Sequence, residues 1–250
     1  MSENNVMERQ EETKSSYARL FDDGKNCELA TDIGKMFTHI QSETIKQGNK
    51  LEEFIVDFIN HKTTKKVFQE KKGWYKNIDA VKDIIIDKEV INKCFIPKRF
   101  LDDENLACGN KTGIELDFVI VKANKSVILV EMKAGKDFDT KKSKGEVDSM
   151  SSVKHLFEKN GIIVEKCLFV SYEAKSVEEI NFKTDLCGCT KSTFEQFLKV
   201  ILDDDDVGVQ EGKQYIQQRF FEQAKQHIMY VKHEMISLLE KMEKTNLTPT

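Results

Sequence analysis

Apolar residues recur along this chain with two periods, one near 3.6 and one of 2, and their order predicts helices, then strands, then helices again. Over 31 to about 60 the spacing is helical. Thr31 or Asp32 caps a segment carrying Ile33, Met36, Phe37 and Ile40; Gly48 precedes a second with Leu51, Phe54, Ile55, Phe58 and Ile59 on one face. Residues 62–87 give no clear period, although Trp74 and Tyr75 are large enough to pack on the next element of the chain. Residues 94–100 read as a short strand, and Pro97, which has no donor for a ladder, assigns it to a sheet edge. Two apolar runs, about 115–122 and 127–133, flank an Asn124-Lys125 turn and predict a hairpin. After a basic loop at 136–146 come a helix over about 146–159 and a central strand over 162–172. A polar loop then leads to a helix that Ser192 or Thr193 caps and that runs to about 202. Acids suit a helix C-terminus poorly, so the run 203–206 marks a sharp stop. From 210 to about 244 a long amphipathic helix carries Ala224, Ile228, Val231, Met235, Leu238 and Met242 in a heptad-like stripe, suited to packing on the core or to forming a homodimer. The order of elements predicts an α/β (α+β) domain around a mixed sheet flanked by helices.

Composition narrows the class. With 33% charged and 39% hydrophobic residues in 250, the chain reads as soluble and globular, long enough for a sizeable core. The formal net charge of -4 offers no global attraction to a polyanion, which argues against a simple DNA-coating protein. Any nucleic-acid face must come from local clustering. Residues 1–14 are polar and expected to be disordered, with 15–208 as the core and 209–250 as the C-terminal helix. The N-terminus lacks the apolar segment of a signal peptide, and no run approaches the roughly 18 apolar residues of a membrane span. An intracellular, cytoplasmic location is therefore expected. Only Cys187 and Cys189 of six cysteines are close-set, without the paired spacing of a zinc site, so the thiols read as free and mostly buried in a reducing compartment. The five histidines show no ligand spacing and receive no metal role.

The chemistry lies between Gly113 and Gly135, GIELDFVIVKANKSVILVEMKAG, where charges interrupt two strands that should be buried. Strand side chains alternate, so Asp117 shares a face with Glu115, Val119 and Val121, and Glu131 with Leu129 and Lys133. A two-residue turn would pair Asp117 with Met132 and split the carboxylates across the sheet. A three-residue loop, 124–126, would pair Asp117 with Lys133 and Val119 with Glu131, uniting all three groups. An odd-length loop or a bulge is therefore expected. Asp117 and Glu131 suit Mg²⁺, a hard cation that takes a few carboxylate oxygens and keeps several waters, with Mn²⁺ as a substitute. The main-chain carbonyl of Met132 is a further ligand candidate, and Lys133 is placed to orient or activate a bound water. On the preceding helix, Glu52 flanks the buried stripe beside Ile59, whereas Glu53 points to solvent. Lys136, Lys141, Lys142 and Lys144, following Lys133, would meet phosphates if their loop faces the cleft.

The motif D-x13-E-x-K across a hairpin, preceded by a helix with GxxxE from Gly48 to Glu52, resembles the PD-(D/E)xK nuclease superfamily over about residues 45–175. The resemblance implies the restriction-endonuclease-like fold and Mg²⁺-dependent phosphodiester cleavage. By motif match, Asp117 and Glu131 would be metal ligands, Lys133 the catalytic lysine and Glu52 the helix-borne acid. Leu116 stands where the motif name has proline, a common departure. The helix after Gly145 lacks the glutamine motif of recombination and repair nucleases, which favours a type II restriction endonuclease cutting a short specific site in double-stranded DNA. The alternatives are a structure-specific or repair nuclease of the same fold, and a catalytically idle nucleic-acid-binding or assembly module.

Overall fold

Six strands line up in a mixed sheet in the order in which they occur in the chain, β1-β2-β3-β4-β5-β6. A computed structural model describes residues 32, 35–36, 40, 50–63, 65–69, 89–101, 113–138, 140–182 and 184–244, the side chains of 69, 99, 140–142, 242 and 244 excepted. The strands are β1 (Val67–Gln69), β2 (Val90–Pro97), β3 (Gly113–Val121), β4 (Val127–Lys133), β5 (Val164–Ser171) and β6 (Thr190–Thr193). β1 runs parallel to β2, β2 to β4 form an antiparallel meander, and β4, β5 and β6 run parallel to one another. The helices are α1 (50–62), α2 (Thr140–Lys159), α3 (Phe194–Ile201) and α4 (Asp206–Lys244).

The central strands are buried on both faces, which is why β4 reads VILV without alternation. One face is covered by α2, whose Val147, Met150, Val153 and Phe157 share a core with Val119, Leu129 and Phe169. On the other face Phe118 meets Phe197 of α3 with ring centroids 5.6 Å apart. There α4 starts so close to α1 that a Cβ on Gly212 would stand 2.9 Å from the Phe58 ring.

Several expectations shift. β2 begins at Val90 and is not an edge strand, although β1 pairs only with residues 90–92. Pro97 is tolerated because it ends β2, opposite Gly113 and past that pairing. The basic loop is largely helix: α2 starts at Thr140, so Lys141, Lys142 and Lys144 lie on its first turns. β6 falls within the expected polar loop. Thr193 caps α3 through a capping box with Gln196, which joins β6 directly to the helix. The acidic run does stop α3, with Asp203 and Asp204 at φ 54° and 63°. It also starts the next helix, because the Asp205 carboxylate accepts the Val207 N–H at 3.2 Å. Asp206 then occupies the first turn of α4, where an acid suits the helix dipole.

The chain divides into two compact units at 47/48 and 219/220. Gly48–Arg219 contains the sheet; the second unit joins residues 1–47 with 220–250. Residues 1–14, Gly48 and 70–88 lie outside the described residues. In the second unit Asp32, Lys35, Met36 and Ile40 are helical, and Lys241 of α4 forms an ion pair with Asp32. The heptad-like stripe is only partly shielded: Ile228 is 65% and Met235 49% exposed, whereas Val231 and Leu238 are sheltered. The sheltered ridge passes through Gln223, His227, Val231, Glu234 and Leu238. Among the described residues no helix is long and apolar enough to cross a membrane.

Two glycines should respond oppositely to alanine. A Cβ at Gly113 would lie 2.4 Å from the Ile96 carbonyl and 2.6 Å from the Phe95 ring. Gly113→Ala should therefore destabilise the protein by roughly 1–3 kcal/mol. Gly145, inside α2, has nothing within 4 Å among the described residues. Gly145→Ala should stabilise by about 0.5–1 kcal/mol. Denaturant titrations of both variants check the two signs.

Candidate active site

The hairpin of β3 and β4 places the charged groups. Its ladder runs from Val121↔Val127 to Phe118↔Val130. Its loop has three residues, 123–125, closed by the Lys122 N–H donating to the Ser126 carbonyl at 2.9 Å. Asn124 accepts the Ser126 N–H at 3.0 Å, and Lys125 takes a left-handed φ of 66°, a usual pattern for such a turn. The loop is thus odd, and Asp117, Glu131 and Lys133 share the parity of Val119 and Leu129. The register differs from the one expected by two residues: Val119 pairs with Leu129, not Glu131. Continued by one pair, it sets Asp117 beside Glu131 rather than Lys133. The reason is local, because the Asn124 turn draws Ala123 into the loop and returns Ser126 to the ladder.

At Asp117 the ladder opens. The Met132 N–H donates to Asp117 Oδ2 at 2.6 Å, so a side chain replaces the expected main-chain acceptor. Lys133 extends to Glu146 of α2, with Nζ 2.6 Å from Oε1, and lies 3.9 Å from Glu131 Oε1. The Phe138 ring stands 5.7 Å from the same ammonium. Glu146 Oε2 is buried with no hydrogen-bond partner among the described residues. From α1, Glu52 accepts the Asn92 side-chain amide at 3.3 Å and meets the Lys93 ammonium at 3.8 Å. The Asn92 amide also donates to the Asp117 carbonyl at 3.0 Å, tying the helix-borne acid to β3. Lys93 has a φ of 55°, uncommon for a residue with a side chain and a local strain beside Asp117.

Glu52, Asp117, Glu131 and Lys133 therefore come together, joined by Asn92, Lys93 and Glu146, which sequence reasoning missed. Asn92 had a signal as an amide inside the apolar run VINKCFI. Glu146 had one too, standing on the α2 face of Met150, Val153 and Phe157 at helical spacing. The phosphate candidates are less unified. Lys136 is paired with Glu179 at 2.8 Å, Lys144 is exposed, and the side chains of Lys141 and Lys142 lie outside the described residues. Glu53 is exposed and bonded to Lys50 at 2.5 Å.

Burial dominates the electrostatics. It pushes Asp117 up to about 7, aided by the charge of Glu52 and opposed by the Met132 N–H and Lys133. Burial and the charge of Asp117 push Glu131 up to about 9. Glu52 is also raised, chiefly by burial, against the lowering effect of Lys93 and Asn92. Burial opposes the charge on Lys133, but the bond to Glu146 and the surrounding carboxylates outweigh it and shift its pKa upward. Two desolvated carboxylates that repel each other form a hard-oxygen pair that, with the Met132 carbonyl as the candidate third ligand, would fit a divalent cation. Among the described residues no three His, Cys, Asp or Glu side chains form a ready metal cage. The remaining positions would fall to the carbonyl and to water, the usual state of protein-bound Mg²⁺.

Over 131 residues, 50% of this chain, the sequence is 29% identical to the type II restriction enzyme HhaII of Haemophilus parahaemolyticus. The match takes in 52% of that enzyme, so the chain spans about half the length of this curated relative. A solved structure, the small subunit (R.BspD6I2) of the heterodimeric restriction endonuclease R.BspD6I, is similar at 14% identity and a TM-score of 0.28. That similarity covers 74% of this chain and 98% of the subunit. No family model matches the chain.

The raised carboxylates make a pH prediction for the metal-free protein. Both bind protons more tightly folded than unfolded, so their stabilising contribution is complete below the ordinary values of 3.8 and 4.5. It is lost as pH rises through about 7 for Asp117 and about 9 for Glu131. Thermal unfolding in EDTA should show a midpoint that falls across this window, and Glu131→Gln should flatten the fall. An equally steep fall in the variant would count against the assigned burial.

Proposed function

We propose that this protein is an endonuclease that hydrolyses phosphodiester bonds of double-stranded DNA with Mg²⁺, in the manner of a type II restriction endonuclease. The observation that carries the reading is the convergence of Asp117, Glu131 and Lys133 where the β3–β4 ladder opens, with Glu52 brought to the same point through Asn92. The similarity to a type II restriction enzyme over half the chain supports the same class of activity.

Each group has a task in this reading. Asp117, Glu131 and the Met132 carbonyl would hold Mg²⁺, which supplies charge stabilisation at the phosphoryl oxygens and a more acidic bound water. Lys133 presents its ammonium to the developing negative charge and orients the attacking water. Glu146 fixes the direction of that ammonium, and its buried second oxygen is free to accept a further proton donor. Glu52 contributes a carboxylate from the opposite side of Asp117, with Lys93 offsetting its charge. Lys144 and the neighbouring Lys141 and Lys142 on the first turns of α2 would meet DNA phosphates, with Lys136 joining if it leaves Glu179. Mn²⁺, with similar demands on its ligands, would substitute for Mg²⁺.

Incubation of the protein with unmethylated duplex DNA of phage size and Mg²⁺ should yield discrete fragments, absent in EDTA. Lys133→Ala and Glu131→Gln should each lower the cleavage rate by about 100-fold or more. Smearing with the same metal dependence would favour a structure-specific nuclease. Intact DNA with Mg²⁺ and with Mn²⁺, or undiminished cleavage by Lys133→Ala, would overturn the reading.

A further inference from the structure

A cleft of about 910 Å³ opens beyond the C-terminal ends of β5 and β6, walled by the segment after β5, the first turn of α3, and Lys213 and Gln217 of α4. It is tied directly to the candidate active site. The Tyr172 N–H donates to the Lys133 carbonyl at 2.9 Å, and the Glu173 N–H to the Ala134 carbonyl at 3.0 Å. The ends of parallel strands in an α/β sheet are where ligands settle, and β4, β5 and β6 all end on this side.

The charges of the lining cancel, with Glu173, Glu178 and Glu195 set against Lys175, Lys199 and Lys213. Lys213 is engaged by Glu195 at 2.6 Å and Lys199 by Asp206 at 3.0 Å. A surface that follows a phosphate backbone needs a surplus of cations, which this cleft lacks. It offers instead donors and acceptors side by side: the amide of Gln217, the hydroxyl of Ser176, and lysines next to glutamates. Tyr172 adds a partly exposed ring, steadied against Phe194 at 5.0 Å. Such a mixture matches base edges, where amides pair with adenine, lysine with guanine and carboxylates with cytosine.

We infer that this cleft reads base edges of duplex DNA and so sets sequence preference, an inference that rests on the nuclease reading for its substrate. The backbone tie to Lys133 and Ala134 then couples the reading surface to the strand that bears Glu131 and Lys133.

The test is selection by the full chain from a pool of duplex DNA with a randomised centre, in Ca²⁺ without Mg²⁺ so that binding is measured apart from cutting. The wild type should enrich particular base pairs. A Lys175→Ala, Gln217→Ala double variant alters two exposed side chains and should keep its melting temperature and its salt slope. Its preference for the selected sequence over single mismatches should drop about 10- to 100-fold at one or more positions. The inference is overturned if the wild type enriches nothing, or if the variant keeps the same preferences. A uniform loss with a shallower salt slope would also overturn it, since that marks phosphate contacts. The nuclease reading fails by a separate observation, enriched duplexes that remain uncut in Mg²⁺.

Discussion

The hydrogen bond from the Met132 N–H to the Asp117 carboxylate is the interaction on which the site depends. A hairpin normally satisfies its main-chain donors across the ladder. Here, one pair beyond Phe118 and Val130, a side chain takes the acceptor's place. The two strands are thereby held together and parted at the same point. Asp117 and Glu131 stay buried at this point, and burial dominates the electrostatics of both carboxylates. Lys93 and Asn92 of β2 respond to the same opening, one with a left-handed backbone and the other with an amide shared between β3 and α1.

Much of this was legible in the sequence, and the parts that were not share a cause. Period-2 alternation places Asp117, Glu131 and Lys133 on one face as soon as the loop is odd, because parity survives any shift of register by two. The register itself was not legible, since it depends on whether Ala123 or Ser126 belongs to the loop. That choice follows from the Asn124 side chain closing on Ser126. Asn92 and Glu146 escaped because their partners are 40 and 13 residues away, and a linear pattern does not bring Glu52 or Lys133 to them. β6 was hidden by its polar sequence TKST, which forms a strand by pairing with β5 and not through apolar alternation. The start of α2 was masked by its lysines, which read as a loop although lysine is a good helix former.

In the C-terminal helix the gap between pattern and burial has another origin. Its heptad spacing is real in the sequence, but spacing identifies only which residues share a side, not which side is sheltered. Two of the stripe's members, Val231 and Leu238, are sheltered beside Gln223, His227 and Glu234, while Ile228 and Met235 are exposed.

The strand order has a consequence for how such a protein comes into being. Among the described residues, each strand from β2 on lies beside the strand that precedes it in the chain, so none of these must slide between two already paired. A chain leaving the ribosome could lay the strands down in turn, with the β3–β4 hairpin among the fastest steps because its loop is so short. Asp117 and Glu131 would then meet before β5, β6, α3 and the walls of the cleft have been synthesised. As the chain grows, the chemical centre would be the older part, and the surface that chooses a sequence would be added to it last.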